Sequence, residues 1–143
     1  MTLKRLALVF LLLSLSVSSI SAEEQPQVTR VTLSNGLRVV LIHNPLAPVV
    51  TVEMNFLVGG DETPPGFPGM AHAQEHMAFR GCKGMSADQT AAIYALLGGQ
   101  NNADTQQNIT QYFATVPAAD LDVALQAQAA CLQGIDDSQQ EWA

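Results

Sequence analysis

The first structured pattern along the chain begins near Val28. VTRVTL and LRVVLIH are β-rich runs, and Ser34-Asn35-Gly36 between them predicts an antiparallel hairpin. Asn44-Pro45 and Ala47-Pro48 break the pattern. Val50, Val52, Met54, Phe56 and Val58 then alternate with Thr51, Glu53, Asn55 and Leu57, the period of a strand with one buried face, and Gly59-Gly60 ends it. DETPPGFPG holds three of the seven prolines and two of the ten glycines, which excludes helix there. The breaker-free residues 70–79 that follow are predicted to be helical. Gly81 and Gly84 interrupt the chain. Ser86 and Gln89 then form a capping box for a helix to Leu97, stopped by Gly98-Gly99. Strand signals return in NNADTQQ and NITQYFATV. Pro117 opens a last helix with Leu121, Leu125 and Leu132 on one face and Ala124, Gln128 and Ala129 around them, ending at Gly134. Ser138 and Glu141 make a second capping box, so Glu141, Trp142 and Ala143 would be the first turn of another helix. One turn does not stand alone, because nucleation costs more than it returns, and the domain is expected to continue beyond these residues.

The first 22 residues depart from this pattern. Lys4 and Arg5 precede an apolar run from Leu6 to Leu13, followed by small residues through Ser21-Ala22, the layout of a cleavable secretory signal. The apolar core reaches about Val17, short of the roughly 20 residues that cross a bilayer, so no stable membrane anchor is expected after cleavage behind Ala22 or Ser21. An exported protein, periplasmic or secreted, follows. Cleavage removes two of the six basic residues and none of the 13 acidic ones, moving the net charge from −7 to −9 and arguing against nucleic acid as a partner. Residues 23–143 suffice for one modest core. Cys82 and Cys131 can pair in an oxidising compartment or can serve as two small buried hydrophobes, and their spacing does not decide between these.

The candidate chemistry lies in GMAHAQEHMAFRGC, Gly69 to Cys82, which carries two of the three histidines. On a helix, residues four apart lie one above the other, so His72 and His76 project imidazoles from one face at a separation that a tetrahedral zinc ion spans. Glu75 sits one residue round. Its carboxylate is placed to accept the proton of a water acidified by the metal, which makes attack on an amide carbonyl feasible at neutral pH. The plainer reading of the same residues is a helix with two exposed histidines and a solvated glutamate.

The surroundings extend the pattern: TLSNGLRVVL, the Gly59-Gly60-Asp61-Glu62-Thr63 loop, GMAHAQEHMAFRG, the Gly98-Gly99 turn, NNADTQQNITQYF and the amphipathic helix from Pro117. With these, residues 28–143 resemble the pitrilysin family of zinc peptidases, the inverzincins, in which His-x-x-Glu-His inverts the thermolysin order. The resemblance implies an α+β fold, a mostly antiparallel sheet with helices on one face, like the metallohydrolase fold of LuxS and the mitochondrial processing peptidase. It implies Zn2+ as cofactor, His72 and His76 as ligands, and Glu75 as general base. Asn102 and Ala103, with the residues to Thr105, resemble the edge strand on which a peptide or unfolded protein substrate is held as an added β-strand; by themselves Asn101-Asn102 read as a turn. A second pitrilysin-type domain or subunit would close a chamber round the substrate. Two departures stand out. Ala73 and Gln74 replace the bulkier apolar residues usual between the first histidine and the glutamate. The third ligand, a glutamate roughly 75 residues beyond His76 in similar inverzincins, would fall past Ala143. The resemblance therefore implies the N-terminal part of a metalloendopeptidase. Its rivals are a non-catalytic partner subunit and a metal-free peptide-binding module.

Overall fold

A computed structural model describes residues 27–82 and 84–135. The expected signal segment and the capping box at Ser138 and Glu141 lie outside them. The described residues divide into two compact units, one ending at Pro45 and one beginning at Leu46.

In the first unit, β1 (Gln27–Thr32) and β2 (Arg38–His43) form the expected antiparallel hairpin, with Gln27 opposite His43 and Thr32 opposite Arg38. Its turn is wider than a two-residue Asn-Gly turn. Leu33 N–H donates to the Leu37 carbonyl at 2.9 Å, Gly36 N–H donates to the Leu33 carbonyl at 2.9 Å, and Gly36 has φ of 87°. Ser34-Asn35-Gly36 is thus a three-residue loop whose last position needs the left-handed conformation that glycine adopts at least cost.

The second unit runs β3 (Val49–Phe56), a 3-10 turn (Gly60–Glu62), α1 (Met70–Met77), β4 (Gly81–Cys82), β5 (Met85–Ser86), α2 (Ala87–Leu96), β6 (Gln100–Thr105), β7 (Thr110–Pro117), a 3-10 turn (Ala118–Asp120) and α3 (Leu121–Leu132). Its main sheet has the order β3-β7-β6, antiparallel throughout, so β7 is central and β6 is an edge among the described residues. The two faces differ as the alternation requires. On one, Thr51 and Thr115 hydroxyls meet at 2.8 Å, and the Gln111 amide donates to Glu53 at 2.9 Å and Asn55 at 2.7 Å. On the other, Ala114 and Val116 are buried with Tyr94 of α2 and Ala124 and Ala127 of α3, flanked by Val50, Ile93 and Leu97. This is the expected α+β arrangement. The Ser86–Gln89 capping box is also present, with both reciprocal bonds formed, at 3.2 and 2.9 Å.

On helix α3, Ala124 is fully buried and Ala127 nearly so, Leu121 is half-buried, and Leu125 and Leu132 are each 44% exposed. Small side chains let the helix backbone approach Ala114 and Val116 closely, and close packing rewards that approach more than it rewards bulk at the interface. Cys82 and Cys131 are paired in a disulfide that ties β4 to α3, and a β-bridge between Cys82 and Ile135 lies beside it.

Candidate metal centre and substrate edge

Helix α1 starts where the proline-rich loop ends, at Gly69 with φ of 83°, and runs for eight residues. Its turn angle separates the motif into two environments. His72 and His76 are exposed, while Glu75 is 7% exposed and Met77 4%. The two Nε2 atoms lie 3.1 Å apart, with ring centroids 4.6 Å apart and planes tilted by 53°. Two nitrogens bound to one tetrahedral zinc ion at ~2.05 Å stand about 3.3 Å apart, so the pair is arranged as a two-toothed clamp for a cation that favours imidazole. Among the described residues no third His, Cys, Asp or Glu joins the two to complete a ligand set.

Glu75 points toward the sheet. The Thr105 hydroxyl, at the end of β6, donates to Glu75 Oε2. Tyr112, opposite Ala103 on β7, has its phenol pKa raised by burial and, secondarily, by the negative charge of Glu75. It therefore stays neutral well into the alkaline range. A cavity of about 490 Å³ opens between α1 and β6, lined by His72, Glu75, Ala103, Asp104, Thr105 and Gly69, among others.

Of the expected substrate-edge residues, Ala103 borders this cavity and Asn102 does not. Strand alternation puts Ala103 and Thr105 on the α1 side of β6 and Asn102 on the other, opposite Phe113. Asn102 is connected to the edge differently, because its Oδ1 accepts the Ala103 N–H at 2.9 Å. Thr105 and Tyr112 were not singled out by sequence reasoning. A threonine ending a strand and a tyrosine within one are ordinary there, and only their approach to Glu75 distinguishes them.

The loop beyond β3 anchors the far end of this edge. Gly60 N–H donates to the Gln106 carbonyl at 2.9 Å and Asp61 N–H to the Gln107 carbonyl at 2.7 Å. A Cβ on Gly59 would come within 2.3 Å of the Gln106 carbonyl oxygen, so only glycine fits.

Residues 38–138 match the insulinase family of peptidases, peptidase family M16. The chain belongs to this family. Among M16 relatives, the zinc protease PqqE of Helicobacter pylori is 33% identical over 135 residues, 92% of this chain and 30% of PqqE. The uncharacterized zinc protease YmxG of Bacillus subtilis is 36% identical over 89 residues, 62% of this chain and 22% of YmxG. Among solved structures, a protease from Helicobacter pylori superposes with a TM-score of 0.75 at 34% identity, over 81% of this chain and 28% of that one. Pitrilysin gives a TM-score of 0.75 at 28% identity, over 84% of this chain and 13% of pitrilysin. The chain thus spans less than a third of the length of these M16 proteins.

Proposed function

We propose that this chain carries two zinc ligands, the general base and the substrate edge of a zinc-dependent M16 metalloendopeptidase. The observation that supports this reading is that His72, whose Nε2 lies 3.1 Å from that of His76, borders one cavity together with Glu75 and the β6 residues Ala103 to Thr105. His72 and His76 would hold the ion. The chemistry supplied by an ion held there would be Lewis-acid activation of water and of the peptide carbonyl. Glu75 takes the proton as water adds to the carbonyl carbon, then passes it to the amine nitrogen as the C–N bond breaks. A peptide or unfolded protein chain lies along β6 as an added strand, and backbone pairing accounts for affinity without strong sequence preference. The Ala103 N–H, now held by Asn102, would exchange that partner for a substrate carbonyl. A second pitrilysin-type domain or subunit would cover the open side.

The test is zinc content. In the full-length gene product, His72→Ala and His76→Ala are each expected to lose bound zinc and hydrolysis together, since catalytic sites normally need three protein ligands. Stoichiometric zinc in either variant, measured by atomic emission after dialysis, would remove the clamp from the site.

We also propose export. The Lys4-Arg5 and apolar layout supports it, as does the Cys82–Cys131 disulfide, which persists in oxidising compartments. The expected mature N-terminus is Glu23 or Ala22; Edman sequencing that found Met1 or Thr2 on exported protein would contradict it.

A further inference from the structure

Thr105 is held independently of the residue it contacts. As the last residue of β6 it pairs with Thr110, whose own hydroxyl donates to the Val58 carbonyl at 2.9 Å. The next residue, Gln106, donates its N–H to the Ile109 carbonyl at 2.9 Å and offers its carbonyl to Gly60 N–H at 2.9 Å. The Thr105 backbone is thus fixed by strand pairing on one side and by the Gly59-Gly60 loop on the other. Its side chain is β-branched and stiff about χ1, so the hydroxyl has a defined direction. That hydroxyl donates to Glu75 Oε2, and among the described residues it is the one hydrogen bond to the carboxylate. Glu75 by contrast has three rotatable bonds and is buried, where a fixed hydrogen bond to a charged group is stronger than in water.

We propose that Thr105 is a positioning residue for Glu75, an inference that rests on the peptidase reading above. By engaging Oε2 it locks the carboxylate in one orientation and leaves Oε1 to take the proton. Because Thr105 lies on the same strand as Ala103, two residues away, it also sets the base in register with the edge that receives the peptide. The substrate strand and the base are then aligned by one rigid element, and the geometry that brings reacting groups together is built in before substrate arrives.

The test uses Thr105→Val, which keeps the shape and removes the donor, and Thr105→Ser, which keeps the donor, both in the zinc-loaded full-length protein. A hydrogen bond to a charged group implies a fall in kcat of about 10- to 100-fold for Thr105→Val, with KM and zinc stoichiometry nearly unchanged. Thr105→Ser should recover kcat to within a few-fold of the parent. Introduced into Glu75→Gln, Thr105→Val should slow the residual rate no further, because the group it positions is already gone. The second readout is independent of activity: crystals of metal-free Thr105→Val should show the Glu75 side chain in a changed or divided rotamer while β6 is unmoved. A parent-like kcat in Thr105→Val, a Ser variant as slow as the Val variant, or a loss confined to KM or zinc content would overturn the proposal. If the parent itself does not hydrolyse peptides, the peptidase reading fails, and an unchanged Glu75 rotamer in the Val variant would then dispose of the positioning role separately.

Discussion

In the full-length protein, Glu75→Gln should, if the proposed peptidase role holds, leave zinc bound and lower peptide hydrolysis by about 10²- to 10⁴-fold, the range a positioned general base contributes. Glutamine matches the glutamate in shape and can still accept the Thr105 hydroxyl hydrogen bond through its carbonyl oxygen, so α1 and β6 should keep their spacing. Burial does not oppose the change either, since the side chain becomes neutral at a position only 7% exposed. What disappears is the lone pair that takes a proton from water. The expected signature is a fall in kcat and in kcat/KM by the same factor, with KM and zinc stoichiometry preserved, as for an interaction made only in the transition state. Near-normal turnover by this variant would show that another group serves as base.

Removal of the disulfide should produce the largest loss of stability of any change considered. Cys82 and Cys131 are 49 residues apart in sequence, and closing a loop of that length restricts the unfolded chain by about 4 kcal/mol. That is a substantial share of the roughly 5–15 kcal/mol by which domains are folded. The bond also has a local role, because it joins α3, the helix under the central strand, to β4, which begins four residues after α1 ends. Cys82→Ala with Cys131→Ala, chosen so that no hydroxyl is buried in their place, should lower the urea midpoint by an amount close to that of adding reductant to the parent. The double variant itself should be insensitive to reductant. A parent whose midpoint is the same with and without reductant would show that the bond contributes nothing to the folded state.

The order of the longer strands and helices was legible from residue pattern because its signals are local, whereas the two-residue strands β4 and β5 fall where the sequence showed only the breaks at Gly81 and Gly84. Alternation located β3, breakers set the limits of α1 and α2, and the Ser86–Gln89 capping box marks the start of α2 within four residues of sequence. The pairing of β6 with β7 needed more than local signals, since the polar residues of Asn101-Asn102 also suit a turn. The candidate site divides in the same way. His72, Glu75 and His76 share one helix, so their mutual placement follows from helix geometry alone.

From sequence alone came the HxxEH helix with its two histidines on one face, the antiparallel strands and the resemblance that the M16 match bears out. Tertiary structure decided the rest: the cysteine pairing, the inward face of α3, and the contacts of Glu75 with Thr105, 30 residues away. The physical reason is range. Helical and strand periods depend on neighbours a few positions apart, and capping closes within one turn. Which face of a helix is buried, and which hydroxyl meets a carboxylate, depends on surfaces contributed by distant segments. Ala124 and Ala127 are buried with Ala114 and Val116 of the sheet while Leu125 and Leu132 of the same helix stay exposed, a difference that the helical period alone does not carry.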